Sequence, residues 1–146
     1  MGRYGYLRVY SGGMMTTAQL SARLIQLAEG CKLTAYWDKT GKRWTIGFGH
    51  TLTAKAGMII TQAQADELFA QDCAPLLQMV ADKPVIEAAA FVDFGFNCGA
   101  EALRRLLAGE ISLSSYGRTS GGVVLAGLSA RRDLENALIT ASRERV

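Results

Sequence analysis

No apolar run in this sequence is long. The longest strictly apolar runs are of the size of Ala88-Ala89-Ala90-Phe91-Val92, far below the roughly 18 residues that a membrane-spanning helix needs. Stable membrane insertion is therefore not expected. Arg3 and Arg8 give the N-terminus positive charge, but Gly, Tyr and Ser interrupt the place where a signal peptide carries its apolar segment. The three cysteines, Cys31, Cys73 and Cys98, are odd in number and lie far apart without a CxxC pair. That pattern excludes a disulfide framework and a zinc site, so free and mostly buried thiols are expected, with no metal. Histidine is nearly absent: His50 stands alone, and a lone histidine is more often a hydrogen-bonded structural residue than a ligand or base.

What is present suits one folded domain. The chain has 146 residues, 49% of them apolar, enough to bury a core of its own. Its net charge of +3 favours anionic polymers in general, and nucleic acid, anionic lipid and bacterial wall polymers all qualify. Residues 1–15 are rich in Gly, Tyr and Met without a clean period and read as an N-terminal extension to a domain over residues 16–146.

Thr16 and Gln19 have capping-box spacing, after which Leu20, Leu24, Leu27 and Ala28 fall on one helical face, and Gly30 supplies the stop. From Lys32 to Phe48 aromatic and β-branched residues alternate around Asp38-Lys39-Thr40-Gly41, which predicts a small antiparallel hairpin. Thr61 and Gln64 repeat the capping box ahead of a long helix reaching Val80, and Pro84 opens a buried helix from Val85 to Phe96. A short helix is expected over residues 100–108, mainly loop over 109–122, and a last helix near 129–143 with Leu134, Ala137, Leu138 and Ala141 on its apolar face. This order gives an α+β class, mainly helical, with the sheet segregated to one lobe.

Two carboxylates stand out. Glu29 sits at a helix end, Asp38 nine positions later at a turn, and Thr45 seven further on in the returning strand. Glycoside hydrolysis needs one carboxylic acid to protonate the leaving oxygen and a second carboxylate across the sugar to activate water or to attack. On chemistry alone the pair remains ordinary, since a helix-end Glu and a turn-opening Asp are common structural choices.

The literal strings are more specific. Glu29-Gly30-Cys31-Lys32-Leu33-Thr34-Ala35-Tyr36-Trp37-Asp38, followed by Trp44-Thr45-Ile46-Gly47-Phe48-Gly49-His50-Thr51, resembles the active-site region of bacteriophage lysozymes. The resemblance continues through Thr61 to Phe69, through Phe94-Gly95-Phe96-Asn97-Cys98-Gly99, and from Gly121 to Leu138, covering residues 16 to 141 with a compressed stretch after Asn97.

The resemblance implies a lysozyme-like fold with an active-site cleft between lobes, and hydrolysis, with inversion, of the β-1,4 bond between N-acetylmuramic acid and N-acetylglucosamine in peptidoglycan. It makes Glu29 the general acid, Asp38 the carboxylate on the water side and Thr45 the hydroxyl that helps hold the water, with no cofactor. It pairs His50 with Asp72 as a structural ion pair. It puts Asn97, Arg131 and Arg132 against the substrate, where helix capping explains Asn97 equally well and a solvated helical face explains the arginines. Tyr36, Trp37 and Trp44 are candidates for stacking on sugars or for the core. The implied protein is a monomeric endolysin that binds neither nucleic acid nor membrane stably. It waits in the host cytoplasm and reaches the wall after a separate protein permeabilises the membrane. Two rivals stay open: a lytic transglycosylase, and a wall-binding or virion structural module without activity.

Overall fold

The computed structural model describes residues 13–145. The extension expected over residues 1–15 lies outside them, but for its last three residues. The described chain runs α1 (Thr17–Glu29), β1 (Lys32–Asp38), β2 (Arg43–Gly47), α2 (Gln62–Met79), α3 (Val85–Cys98), α4 (Ala100–Leu107), β3 (Thr119–Ser120), β4 (Val123–Val124) and α5 (Ala126–Glu144). This is the α+β arrangement expected, a helical body with a small antiparallel hairpin set apart from it.

Local chemistry sets most of the boundaries. Both capping boxes form: Thr16 Oγ1 accepts from the Gln19 amide at 3.2 Å while Gln19 Oε1 accepts from the Thr16 amide at 2.9 Å, and Thr61 with Gln64 repeats both bonds at 3.2 and 2.9 Å. Gly30 ends α1 at φ 65°, a backbone angle that side chains resist. α3 is the central rod, with every residue from Glu87 to Gly95 buried, and α1, α2, α4 and α5 all pack on it.

Two helices present a different face from the one expected. In α1 the buried stripe is Ser21 and Ile25, while Leu27 is 83% exposed. Glu29 comes next on that stripe at helical spacing, so packing through Ile25 aims its side chain at α3 and α5 rather than at solvent. In α5 the buried residues are Arg132, Glu135, Ile139 and Ser142, and Leu134 is half exposed. In α5 the reason is charge: α3 and α1 carry carboxylates on their facing sides, Asp93 and Glu29, and α5 turns Arg131 toward them, leaving Leu134 outside. Cys31 also departs from expectation, being exposed, whereas Cys73 is buried and Cys98 half-buried, all three as free thiols.

β1 and β2 pair antiparallel with Asp38 opposite Arg43, Trp37 opposite Trp44 and Tyr36 opposite Thr45. Segment 58–60 adds to the other edge of β1 through Ala35 N to Met58 O and Ile60 N to Leu33 O, both 2.9 Å. The 109–122 stretch is not wholly loop, since β3 and β4 form a two-residue ladder around Gly121-Gly122.

The hairpin is anchored to the helical body at His50. Its Nδ1 lies 2.8 Å from Asp72 Oδ2 on α2, and its Nε2 lies 2.7 Å from Thr53 Oγ1. Gly47 packs against α2 beside Ala65 and Ile60. On α3, Gly95 is the closest approach of backbone to side chains: a Cβ there would sit 2.8 Å from Leu103 Cδ2 and 3.0 Å from Leu76 Cδ2.

Two outcomes are expected from this packing. Gly95→Ala overpacks the junction of α2, α3 and α4 and should cost about 2 kcal/mol, read as a fall of about 6 °C in Tm. Asp72→Asn keeps an acceptor for His50 but removes the charge, and should lower Tm by about 3 °C. Its rate of peptidoglycan cleavage should stay within about twofold of the unaltered protein; a large activity loss in the folded variant would show that the pair does more than anchor.

Candidate functional site

Glu29 is fixed from two directions. Its Oε1 accepts a 2.6 Å hydrogen bond from Arg131 Nη1, while Oε2 faces Gly49, where a Cβ would come within 3.8 Å of it. Gly49 adopts φ 86°, so glycine here satisfies the backbone and leaves space in front of the carboxyl. Although the helix end itself is open, the Glu29 side chain is only 24% exposed.

Asp38 and Thr45 come from the hairpin. Because Asp38 faces Arg43 and Thr45 faces Tyr36, the two lie diagonally on one face of the ribbon, about 7–8 Å apart by strand geometry. Asp38 Oδ1 accepts from the Thr40 amide at 3.0 Å, and its Oδ2 fills the space where Gly41 lacks a Cβ, 2.6 Å from the ideal position. Thr45 is buried, its hydroxyl within 3.5 Å of the Arg43 carbonyl.

Tyr36 links the two carboxylates. Burial pushes its phenol up from the ordinary value, and the charges of Asp38 and then Glu29 push it further, so both carboxylates lie within electrostatic reach of this one ring. Trp37 and Trp44 occupy the opposite face and meet edge to face at 5.7 Å; they stack on each other.

Beyond Gly49 a hollow of about 260 Å³ opens between the hairpin lobe and the helices, lined by Gly49, Thr51, Asp72, Pro75, Phe96 and Ala100 among others. An ideal Cβ on Gly49 would lie 3.8 Å from Glu29 Oε2 and 4.0 Å from Phe96, so Gly49 borders both the carboxyl and the hollow. Its mixed lining, one apolar wall with a few polar groups, suits a sugar ring.

Behind Glu29 lies a layer of charge that the sequence reading missed. Arg131 donates not only to Glu29 but also from Nε and Nη2 to the two oxygens of Asp93, at 3.0 and 2.9 Å. Burial opposes the charge on Arg131, but its bonds to Asp93 and then Glu29 outweigh that, holding it above an ordinary arginine. Arg132 differs from the substrate contact expected of it. It is fully buried, donating from Nε and Nη2 to Glu135 at 2.6 Å each and from Nη1 to Asn97 Oδ1 at 2.8 Å. A guanidinium without surface offers a sugar nothing, and its position makes it a support for Asn97 instead. Glu135 is pushed up to about 9, by burial first and then by its hydrogen bond with the Asp93 carboxyl, against the pull of Arg132. Asp93 was legible in principle, as the only charged residue between Ala88 and Phe96 in a helix otherwise apolar there. Among the described residues no group of three His, Cys, Asp or Glu side chains is arranged to hold a metal ion.

Known proteins resemble this chain over most of its length. The phage lysozyme family model matches residues 26–135. An endolysin of Acyrthosiphon pisum secondary endosymbiont phage 1 is 33% identical over 138 residues, covering 82% of this chain and 94% of the relative. An endolysin of Lactococcus phage c2 is 34% identical over 136 residues, covering 83% of this chain but 58% of that longer protein. Among solved structures, the muramidase domain of SpmX from Asticaccaulis excentricus superposes with a TM-score of 0.69 at 28% identity, over 86% of this chain and 98% of that one. The P1 phage endolysin Lyz, at 23% identity and a TM-score of 0.71 over 84% of each chain, shares the fold. With three quarters of its length within the family model, this chain belongs to the phage lysozyme family, a family of glycoside hydrolases.

Proposed function

We propose that this chain is an endolysin that hydrolyses the β-1,4 bond between N-acetylmuramic acid and N-acetylglucosamine in bacterial peptidoglycan. The observation that carries the reading is that Glu29, its Oε2 facing Gly49, and Asp38, on one ribbon face with Tyr36 and Thr45, both lie within electrostatic reach of Tyr36. Two carboxylates on either side of a sugar are what glycosidic cleavage requires. Names given to relatives, endolysin and muramidase, support the same substrate.

In this reading Glu29 delivers a proton from Oε2 to the leaving glycosidic oxygen while Oε1 stays bonded to Arg131. Asp38 takes a proton from a water that attacks the anomeric carbon from the opposite face, and the Thr45 hydroxyl helps hold that water. The anomeric configuration inverts and one water is consumed per cut. Asn97 meets the substrate with its amide nitrogen, its oxygen being engaged by Arg132. Arg131 acts on Glu29, and through it on substrate. The domain comprises residues 16–146 and works as a monomer without a cofactor. In this reading the chain waits in the host cytoplasm and reaches the wall through a lesion made by another protein; no described helix is long and apolar enough to cross a membrane.

Reducing-end release from purified peptidoglycan tests the reading. Glu29→Gln should lower the rate by at least about a hundredfold while remaining folded, and products of the unaltered protein should each carry one added water. Products lacking that water would identify a transglycosylase, and full activity in Glu29→Gln would remove Glu29 from the acid's role. Gly41→Ala should push the Asp38 carboxylate from its seat. A rate loss of about tenfold with an unchanged melting temperature is expected, and undiminished activity would show that the Asp38 orientation is not set by Gly41.

A further inference from the structure

The charged layer beneath Glu29 presents a difficulty for any general acid. An arginine hydrogen-bonded to a carboxyl favours its ionised form, yet the acid must carry a proton to deliver. Around Glu29 the charged and titratable groups are Arg131 from α5 and, from the hairpin, Tyr36 and Asp38; behind Arg131 stand Asp93 and Cys98 of α3, and Arg132 and Glu135 of α5. Of these, only Asp93 meets Arg131 from the side away from the cleft, and it does so with both oxygens. Its side chain is 5% exposed, so water screens this contact very little.

We propose that Asp93 is a positioning residue of the reaction, which satisfies the charge of Arg131 from behind so that Arg131 can orient Glu29 Oε1 without holding Glu29 in its ionised form. The inference rests on Glu29 being the acid. The two bonds to Asp93 are parallel and forked, the geometry in which a guanidinium is best neutralised, whereas Glu29 receives a single bond. Glu135 completes the balance. Three carboxylates, Glu29, Asp93 and Glu135, share two guanidiniums, Arg131 and Arg132, which is one negative charge in excess until one carboxyl takes a proton. Burial, and then the neighbouring Asp93, raise Glu135 to about 9, which makes Glu135 the carboxyl that takes this proton.

The test compares Asp93→Asn with Glu135→Gln, reading the rate of reducing-end release from peptidoglycan against pH, with circular dichroism confirming that each variant is folded. Asp93→Asn leaves Arg131 unneutralised, so the alkaline limb of the profile, where the acid loses its proton, should move down by about one pH unit. The rate at pH 7 should then fall about tenfold relative to the rate on the acidic side. Asp93→Ser replaces Asn if that variant does not fold, with the same expected shift. Glu135→Gln exchanges one neutral group for another below pH 9, so it should leave the limb in place. Its mark is on stability. A carboxyl raised in the folded state above its ordinary 4.5 contributes stability that is fully present below that value and lost as pH rises through about 9. Glu135→Gln should therefore flatten the fall of Tm between pH 5 and 9.

A uniform loss in Asp93→Asn at every pH, or an unchanged profile, would overturn the proposal, as would an equal shift of the limb in Glu135→Gln. Failure here is separable from failure of the acid assignment, because Glu29→Gln would still be inactive in the first case and active in the second.

Discussion

The fork of Arg131 between Glu29 and Asp93 is the contact on which the rest of the site depends. It joins the end of α1, the middle of α3 and the start of α5 through one guanidinium that is 11% exposed. Charges taken that far from water are costly unless paired, and removing one partner of such a pair commonly costs about 3–5 kcal/mol. The orientation of α5 follows from this: its arginines must face the carboxylates, so Leu134 is left outside. The path of α1 follows too, since the stripe of Ser21 and Ile25 that packs on α3 delivers Glu29 to the same place.

The hairpin meets this layer from the other side, and its own geometry is local. Strand register alone puts Asp38 and Thr45 on one face with Tyr36 across from Thr45, while the two tryptophans occupy the opposite face. His50, held by Asp72 of α2 and by Thr53, ties the ribbon to the helical body so that the two halves of the cleft keep their spacing. A rigid body supplies Glu29 and a ribbon anchored to it supplies Asp38, while α3 lines the hollow beside Gly49 through Phe96.

Much of this was legible in the sequence where the signal is local. Both capping boxes, the Gly30 stop, the Asp38 to Gly41 turn and the order of elements follow from residues within a few positions of one another. Faces were less legible. Apolar periodicity assigned Leu27 and Leu134 to the core, because it assumes that apolar residues are what a helix buries, and here the buried stripe of α5 includes an arginine and a glutamate. The resemblance, not periodicity, made Arg132 a substrate contact, and the structure buries it. Asn97 and Gly117 are near it only after folding, so no spacing rule could announce them, whereas Glu135, three positions on along the same helix, was open to such a rule. The short β3 and β4 ladder escaped for a different reason, since two residues per strand are too few for alternation to register.

The charged layer is also the part of the structure least explained by stability. A buried arginine–glutamate pair can often be replaced by apolar side chains of similar volume at no cost or with a gain, and α3 is apolar enough around Asp93 to accept such a core. Five ionisable side chains persist there instead, one of which, Glu29, turns its free oxygen toward Gly49. Local violations of core chemistry are characteristic of functional sites, where stability is exchanged for geometry and charge. In the proposed reaction the layer serves as machinery rather than as scaffold, with Arg131 meeting Glu29 and Asp93 making that position tolerable.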